Sequence, residues 1–186
     1  MDLMEAIRAR HSVRAYTDRP VAHDAADALR REIEACNREG GLHIQLVTDE
    51  PAAFSGMMAH YGKFSGVRNY IALVGKKSAD LDEKLGYYGE RLTLLAQTLG
   101  LNTCWVALTY SKGKARVDVA PGEKLRLVLA LGYGETQGAP HKSKSLREVC
   151  RVEGAMPDWF RNGMEAALLA PTAMNQIGRA SCRERV

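Results

Sequence analysis

Arg8, Arg10, His11, Ser12 and Arg14 gather three guanidinium groups, an imidazole and a hydroxyl within one short stretch. Guanidinium forks grip phosphate oxygens bidentately, and a serine hydroxyl with backbone N–H groups completes an anion pocket. The same cluster also suits a solvated helix end whose cations complement the dipole. A second basic pair, Lys142 and Lys144, lies in the stretch HKSK. Loop lysines are ordinarily solvated, and these gain meaning only if they converge on an anion held by the arginines. A third cluster is Pro171 to Gln176 (PTAMNQ). The amides of Asn175 and Gln176 both donate and accept, which suits the edge of a planar heterocycle. The segment reads equally as a Pro-initiated turn.

Other chemical patterns fail on spacing. Gly132-Tyr133-Gly134 with Gly138 misses the dinucleotide fingerprint by one residue, and Ala139-Pro140 does not open a helix. Gly75-Lys76-Lys77-Ser78 lacks a P-loop's upstream glycine, since Tyr70 stands there, and Lys77 replaces the hydroxyl residue. No serine sits in a GxSxG elbow. Cys36, Cys104, Cys150 and Cys182 form no CxxC pair, and the five histidines form no HExxH, so no metal is expected. Scattered thiols fit a reducing compartment. Cys104, beside Trp105, reads as a packing residue.

These clusters need elements to carry them. Asp2 with Glu5 resembles a capping box opening a helix through about Arg10. A turn follows over Tyr16 to Pro20. Ala25, Leu29, Ile33 and Cys36 share one face of a second helix, from about Asp24 to Arg38, ended by Gly40-Gly41. Leu42 to Thr48 alternates as a half-buried strand does, and Asn69 to Gly75 (NYIALVG) reads as an interior strand. Leu81, Leu85, Tyr88, Leu92, Leu95 and Leu99 make an apolar stripe on a helix that Gly100 stops. Asn102 to Leu108 and Leu125 to Tyr133 read as strands. Short helices are expected at about Ser145 to Cys150 and Asp158 to Leu169, the latter before Pro171. Helices and strands alternate imperfectly, so the fold class is α+β, a central mixed or antiparallel sheet flanked by helices.

The 186 residues suit one domain, with 46% hydrophobic and 26% charged residues as in ordinary globular chains. No apolar run is long enough to span a membrane. The opening MDLMEAIRARHSVR has no signal-peptide core, so the cytoplasm is expected. The last ten residues, Ile177 to Val186 (IGRASCRERV), read like a sequencing-library adapter translated in one frame. They are expected to be a non-native read-through tail after a domain of residues 1–176 that is C-terminally truncated. They carry three arginines against one glutamate, so without them the formal charge of +4 becomes +2. That excess is too small to indicate nucleic-acid binding.

Several of these segments together resemble one family. AIRARHSVRAY (Ala6 to Tyr16) is similar to the opening signature of the FMN-dependent nitroreductases, whose Arg-x-Ser-x-Arg pattern grips the flavin phosphate. LGLNTCWVAL (Leu99 to Leu108) resembles the family's LGLGTCW segment near the flavin ring, and LALGYGE (Leu129 to Glu135) its late core strand. HKSKSLREV (His141 to Val149) resembles its basic phosphate-side loop, and LAPTAMNQ (Leu169 to Gln176) its APSxxNxQPW segment. In usual members that last segment comes early. Its late position here resembles a divergent branch typified by a nitroreductase from a thermophile.

The resemblance implies FMN as cofactor, held through Arg10, His11, Ser12, Arg14, Lys142 and Lys144 at the phosphate. It implies Thr103, Cys104, Trp105, Pro171, Thr172 and Asn175 near the ring. It further implies a homodimer in which NAD(P)H reduces the flavin, and a nitroaromatic, quinone or similar small-molecule acceptor reoxidises it by ping-pong transfer. No catalytic side chain is then required, since the chemistry lies on the cofactor. A non-catalytic binder of FMN or another phosphate ligand is the alternative from a different class.

Overall fold

Strand β2 (Asn69–Lys76) is apolar on both faces, and the burial of all but its last residue follows from what each face meets. Tyr70, Ala72 and Val74 turn to one side, Ile71 and Leu73 to the other, and both sides are covered. The structure is a computed structural model that describes residues 1–140, 144–152 and 154–172. The chain divides into two compact units, Met1–Ala139 and Pro140–Val186.

In the first unit, β1 (Gln45–Val47), β2, β3 (Asn102–Val106) and β4 (Glu123–Gly132) form one sheet in the order β1-β2-β4-β3. Every neighbouring pair is antiparallel, with Ile71 opposite Leu129 and Cys104 opposite Ala130. One face is covered by α2 (His23–Gly40) and α4 (Leu81–Thr98) through Leu29, Ile33, Cys36, Leu81, Leu85 and Leu92. These are the stripes expected from helical periodicity. Arg91 of α4 ties the two helices together by reaching Glu32 and Glu39 of α2. The other face is covered by chain without long helices. Val13 and Tyr16 from the N-terminal segment, and Phe54, Phe64 and Tyr110, pack there on Tyr70, Val128 and Ala130.

Helix α1 (Leu3–Ala9) packs against α4. Its capping box is present: Glu5 N–H donates to Asp2 Oδ1 at 2.8 Å and Asp2 N–H to Glu5 Oε2 at 3.0 Å. Helix α2 ends at Gly41, whose φ of +62° is the left-handed cap that glycine adopts at little cost.

Several boundaries differ from the sequence reading. The strand expected over 42–48 is only Gln45–Val47. Before it the pairing with β2 continues only in part: His43 N–H donates to Val74 C=O at 2.9 Å and Leu42 bridges Gly75, next to a register shift at Leu73/Val74 of β2. The Asn37 side chain accepts from Ile44 N–H at 2.7 Å and donates to Ile44 C=O at 2.9 Å, the edge-side groups that point away from β2. Strand β3 ends at Val106, short of Leu108. Residues 49–68, unassigned from sequence, contain a 3-10 turn at Ala52–Phe54 and the helix α3 (Met57–Tyr61).

In the second unit, α5 (Leu146–Val149) begins with a Ser145–Glu148 capping box, and α6 (Asp158–Leu169) spans the expected residues. No helix among the described residues is long and apolar enough to cross a membrane.

Candidate functional site

The exit of α1 runs alongside β3. Ser12 and Thr103 face each other in a parallel bridge, and Val13 N–H donates to Thr103 C=O at 3.1 Å. A second parallel bridge joins Ala15 to Ser65, where Ser65 N–H donates to Arg14 C=O and Tyr16 N–H to Ser65 C=O, both at 3.0 Å. The candidate residues 10–14 are therefore held as an extended segment between β3 and the 62–66 loop. Gly66 permits that approach: its φ is +67°, and a Cβ there would sit 2.0 Å from Tyr16 C=O.

The expected site residues then separate by depth. Ser12 and Arg14 are exposed, His11 is half-buried, and Arg10 is buried. Arg10 turns its Nε toward Glu90 of α4, 3.5 Å from Oε1, with side-chain exposures of 3% and 29%. Its Nη1 is buried without a hydrogen-bond partner among the described residues, and so is Thr103 Oγ1. A buried guanidinium N–H without an acceptor is costly. Arg8, by contrast, is exposed at the end of α1, where it complements the helix dipole.

On β3, Thr103 and Cys104 are buried and Trp105 is half-buried. The Trp105 indole N–H donates to Glu90 Oε2 at 3.1 Å. Its ring lies over Gly89, where an added Cβ would come within 2.6 Å of Trp105 Cη2. Burial pushes the Cys104 thiol above its ordinary pKa, while Arg14, the Ser12 side chain and Arg10 pull it down less strongly. Tyr16 is likewise pushed well up by burial; its hydroxyl donates to Val13 C=O at 2.7 Å.

Arg14 and Trp105 share a cavity of about 270 Å³ with Tyr61, Lys63, Phe64 and Thr109. The Arg14 guanidinium carbon is 5.9 Å from the centre of the Phe64 ring. Tyr61, Lys63 and Phe64 were not singled out from sequence. The paired glycines in Gly62-Lys63-Phe64-Ser65-Gly66 were the available signal, since they mark a tight loop carrying an aromatic and a cation. The structure thus brings Arg10, Ser12 and Arg14 together with Thr103, Cys104 and Trp105. Lys144 is exposed in the second unit, where Pro171 and Thr172 are half-buried. Lys142 and Asn175, with the tail after Gln176, lie outside the described residues.

Residues 2–178 match the family model described as "Putative TM nitroreductase". Among solved structures, one from Thermotoga maritima, described as a "putative nitroreductase", is 21% identical with a TM-score of 0.62. The match covers 95% of this chain and 69% of that one. A Desulfovibrio desulfuricans "putative nitroreductase in complex with fmn" is 19% identical with a TM-score of 0.63, covering 84% of this chain and 99% of that one. An "FMN-dependent Nitroreductase" from Clostridium difficile is 15% identical with a TM-score of 0.61, covering 82% and 99%. At these identities the likeness is one of fold. No functionally curated protein matches the chain significantly.

Proposed function

Given that the chain belongs to this nitroreductase family, we propose that it is an FMN-dependent oxidoreductase. It would draw on NAD(P)H to reduce nitroaromatic, quinone or similar acceptors. One observation carries the reading: a buried arginine, Arg10, keeps Nη1 unpartnered in the same segment that exposes Ser12 and Arg14. That donor set fits a phosphate monoester. Arg10 offers N–H groups from a desolvated position, where charge-assisted bonds are strongest, and Arg14 offers a second fork at the surface.

FMN, when bound, supplies hydride acceptance and return. The chain's own residues bind and orient. Arg10, His11, Ser12 and Arg14, with Lys142 and Lys144, would hold the phosphate. Thr103, Cys104, Trp105, Pro171, Thr172 and Asn175 would serve the ring. Trp105, Tyr61 and Phe64 offer apolar and aromatic walls in one cavity, and Lys63 and Arg14 place positive charge at its rim. Cationic groups near a flavin favour the extra negative charge it gains on reduction. A homodimer in the cytoplasm completes the proposal.

The test is an anaerobic titration of the purified protein. Yellow protein that bleaches on NAD(P)H and recovers its colour with a quinone or nitroaromatic supports the oxidoreductase. Colourless protein that also ignores added FMN overturns it. Yellow protein that never bleaches replaces it with a non-catalytic binder.

A further inference from the structure

Glu90 lies on α4, and both its oxygens are engaged by the candidate site. Oε1 faces Arg10 Nε at 3.5 Å, and Oε2 accepts from Trp105 Nε1 at 3.1 Å. We propose that Glu90 is a positioning residue. It pins the Arg10 guanidinium by Nε so that Nη1 stays free for the phosphate, and it fixes the Trp105 indole beside the same site.

The chemistry of the two partners explains why a carboxylate is needed. Arginine and the indole nitrogen are donors only. A carboxylate presents acceptors on both oxygens and so serves both at once. A glutamine of the same shape has one acceptor oxygen and one NH2 group, which would face a donor. One of the two contacts must then be lost. The buried setting adds weight, because Arg10 is almost fully desolvated and its orientation depends on whatever anion it meets. With Glu90 in place the guanidinium has one side committed and Nη1 uncommitted, as observed. Without it, Arg10 is free to turn toward other acceptors, and the donor aimed at the site is lost. Gly89 acts in the same sense, since its missing Cβ leaves room for the indole to lie against α4.

This inference rests on the FMN reading, because the anion Arg10 would meet is that reading's phosphate. The two are separable with a pair of ligands differing only in that phosphate. The full chain, dialysed free of flavin, is titrated with FMN and with riboflavin, following flavin fluorescence. For Glu90→Gln the affinity ratio of FMN to riboflavin is expected to fall about tenfold, the scale of one charge-assisted hydrogen bond. Riboflavin affinity should fall less than FMN affinity, because the remaining amide oxygen can still accept from the Trp105 indole N–H. Loss of a nearby negative charge would by itself favour an anion, so a fall in the ratio reports lost orientation. Glu83→Gln, an exposed position on the same helix, removes the same charge and should leave both affinities as they are.

Glu90→Asp keeps two acceptor oxygens on a stem one methylene shorter and should lower the ratio less. If Glu90→Gln does not fold, that fall alone supports the proposal, and an unchanged ratio in Glu90→Asp overturns it. An unchanged or raised ratio in Glu90→Gln overturns the positioning role while leaving FMN binding intact. Equal loss of both affinities overturns it too, because a purely structural glutamate would act that way. Wild-type protein that binds neither ligand overturns the FMN reading and this one with it.

Discussion

Ser12 and Thr103 are joined across a parallel bridge, with the next backbone N–H, that of Val13, donating to Thr103 C=O at 3.1 Å. This pairing places the N-terminal basic segment on the sheet, so its arginines are positioned by β3 and not merely by the end of α1. A frayed helix terminus would leave them to wander. A segment bridged on both sides, to Thr103 and to Ser65, fixes where each successive side chain points.

Arg14 is the exposed member of that segment, and its removal separates binding from packing. Arg14→Ala is expected to weaken FMN affinity by about 1.5–3 kcal/mol, the value of a charge-assisted contact. Because the side chain is exposed and its nearest ring contact is a loose 5.9 Å approach to Phe64, thermal stability should hardly move. Equilibrium titration of FMN against wild type, with melting curves in parallel, checks both halves. Unchanged affinity would show Arg14 to be a solvated surface residue with no part in binding.

Gly89 and Gly86 lie one turn apart on α4 and should respond to alanine with opposite signs. Alanine gains up to about 1 kcal/mol over glycine in a helix interior. At Gly86 nothing lies within 4 Å of the new Cβ, so Gly86→Ala should stabilise by roughly that amount. At Gly89 the new methyl meets Trp105 Cη2 at 2.6 Å and Leu73 Cδ1 at 2.9 Å. Trp105 is held through its indole N–H and Leu73 is buried, so neither yields easily. Overpacking costs about 1–3 kcal/mol and wins. Urea unfolding of the two variants should show the pair moving apart; stabilisation at both sites would mean the indole is not held against α4.

Where the sequence is periodic, its structure is legible. Leu81, Leu85 and Leu92 recur at helical spacing and are buried on α4, and NYIALVG is the interior strand its apolar run suggests. Residues 49–68 carry no such period, and α3 is held there by tertiary packing of Phe54, Ala59 and Phe64 beneath the sheet. The site follows the same division. Arg10, Ser12 and Arg14 are visible as residue types suited to an anion. That Arg10 is buried and meets Glu90 is not, because the pairing joins α1 to a helix far along the chain. Glu90 itself lies outside the apolar stripe by which that helix is recognised.

Cys104 should be inert in the native state although it neighbours the cationic segment. Thiolates alkylate, and burial holds this thiol above its usual pKa against the smaller opposing pull of Arg14, Ser12 and Arg10. It is also 2% exposed. Cys150, half-buried at the end of α5, is the more exposed residue. Iodoacetamide labelling near neutral pH, read by peptide mass spectrometry, should therefore modify Cys150 well before Cys104. Early modification of Cys104 would assign it a reactive role instead.

His43 and Glu123 give the first unit a pH-dependent tie. His43 Nδ1 lies 2.7 Å from Glu123 Oε2, which also accepts from Ala120 N–H at 3.0 Å. The His43 hydrogen bond, aided by the Ala120 N–H, holds the Glu123 carboxyl below its ordinary pKa, against a smaller upward pull from desolvation. A carboxyl whose folded pKa lies below its unfolded value, about 4.3 for glutamate, stabilises the fold above that value. The contribution is lost as pH falls through the lower, folded value. Glu123 opens β4 and His43 precedes β1, so protonation loosens the start of the sheet's longest strand. Unfolding free energy measured from about pH 6 down to about pH 3 should fall less steeply in Glu123→Gln than in wild type. Parallel curves would show that the pair is no tie at all and that acid lability arises elsewhere.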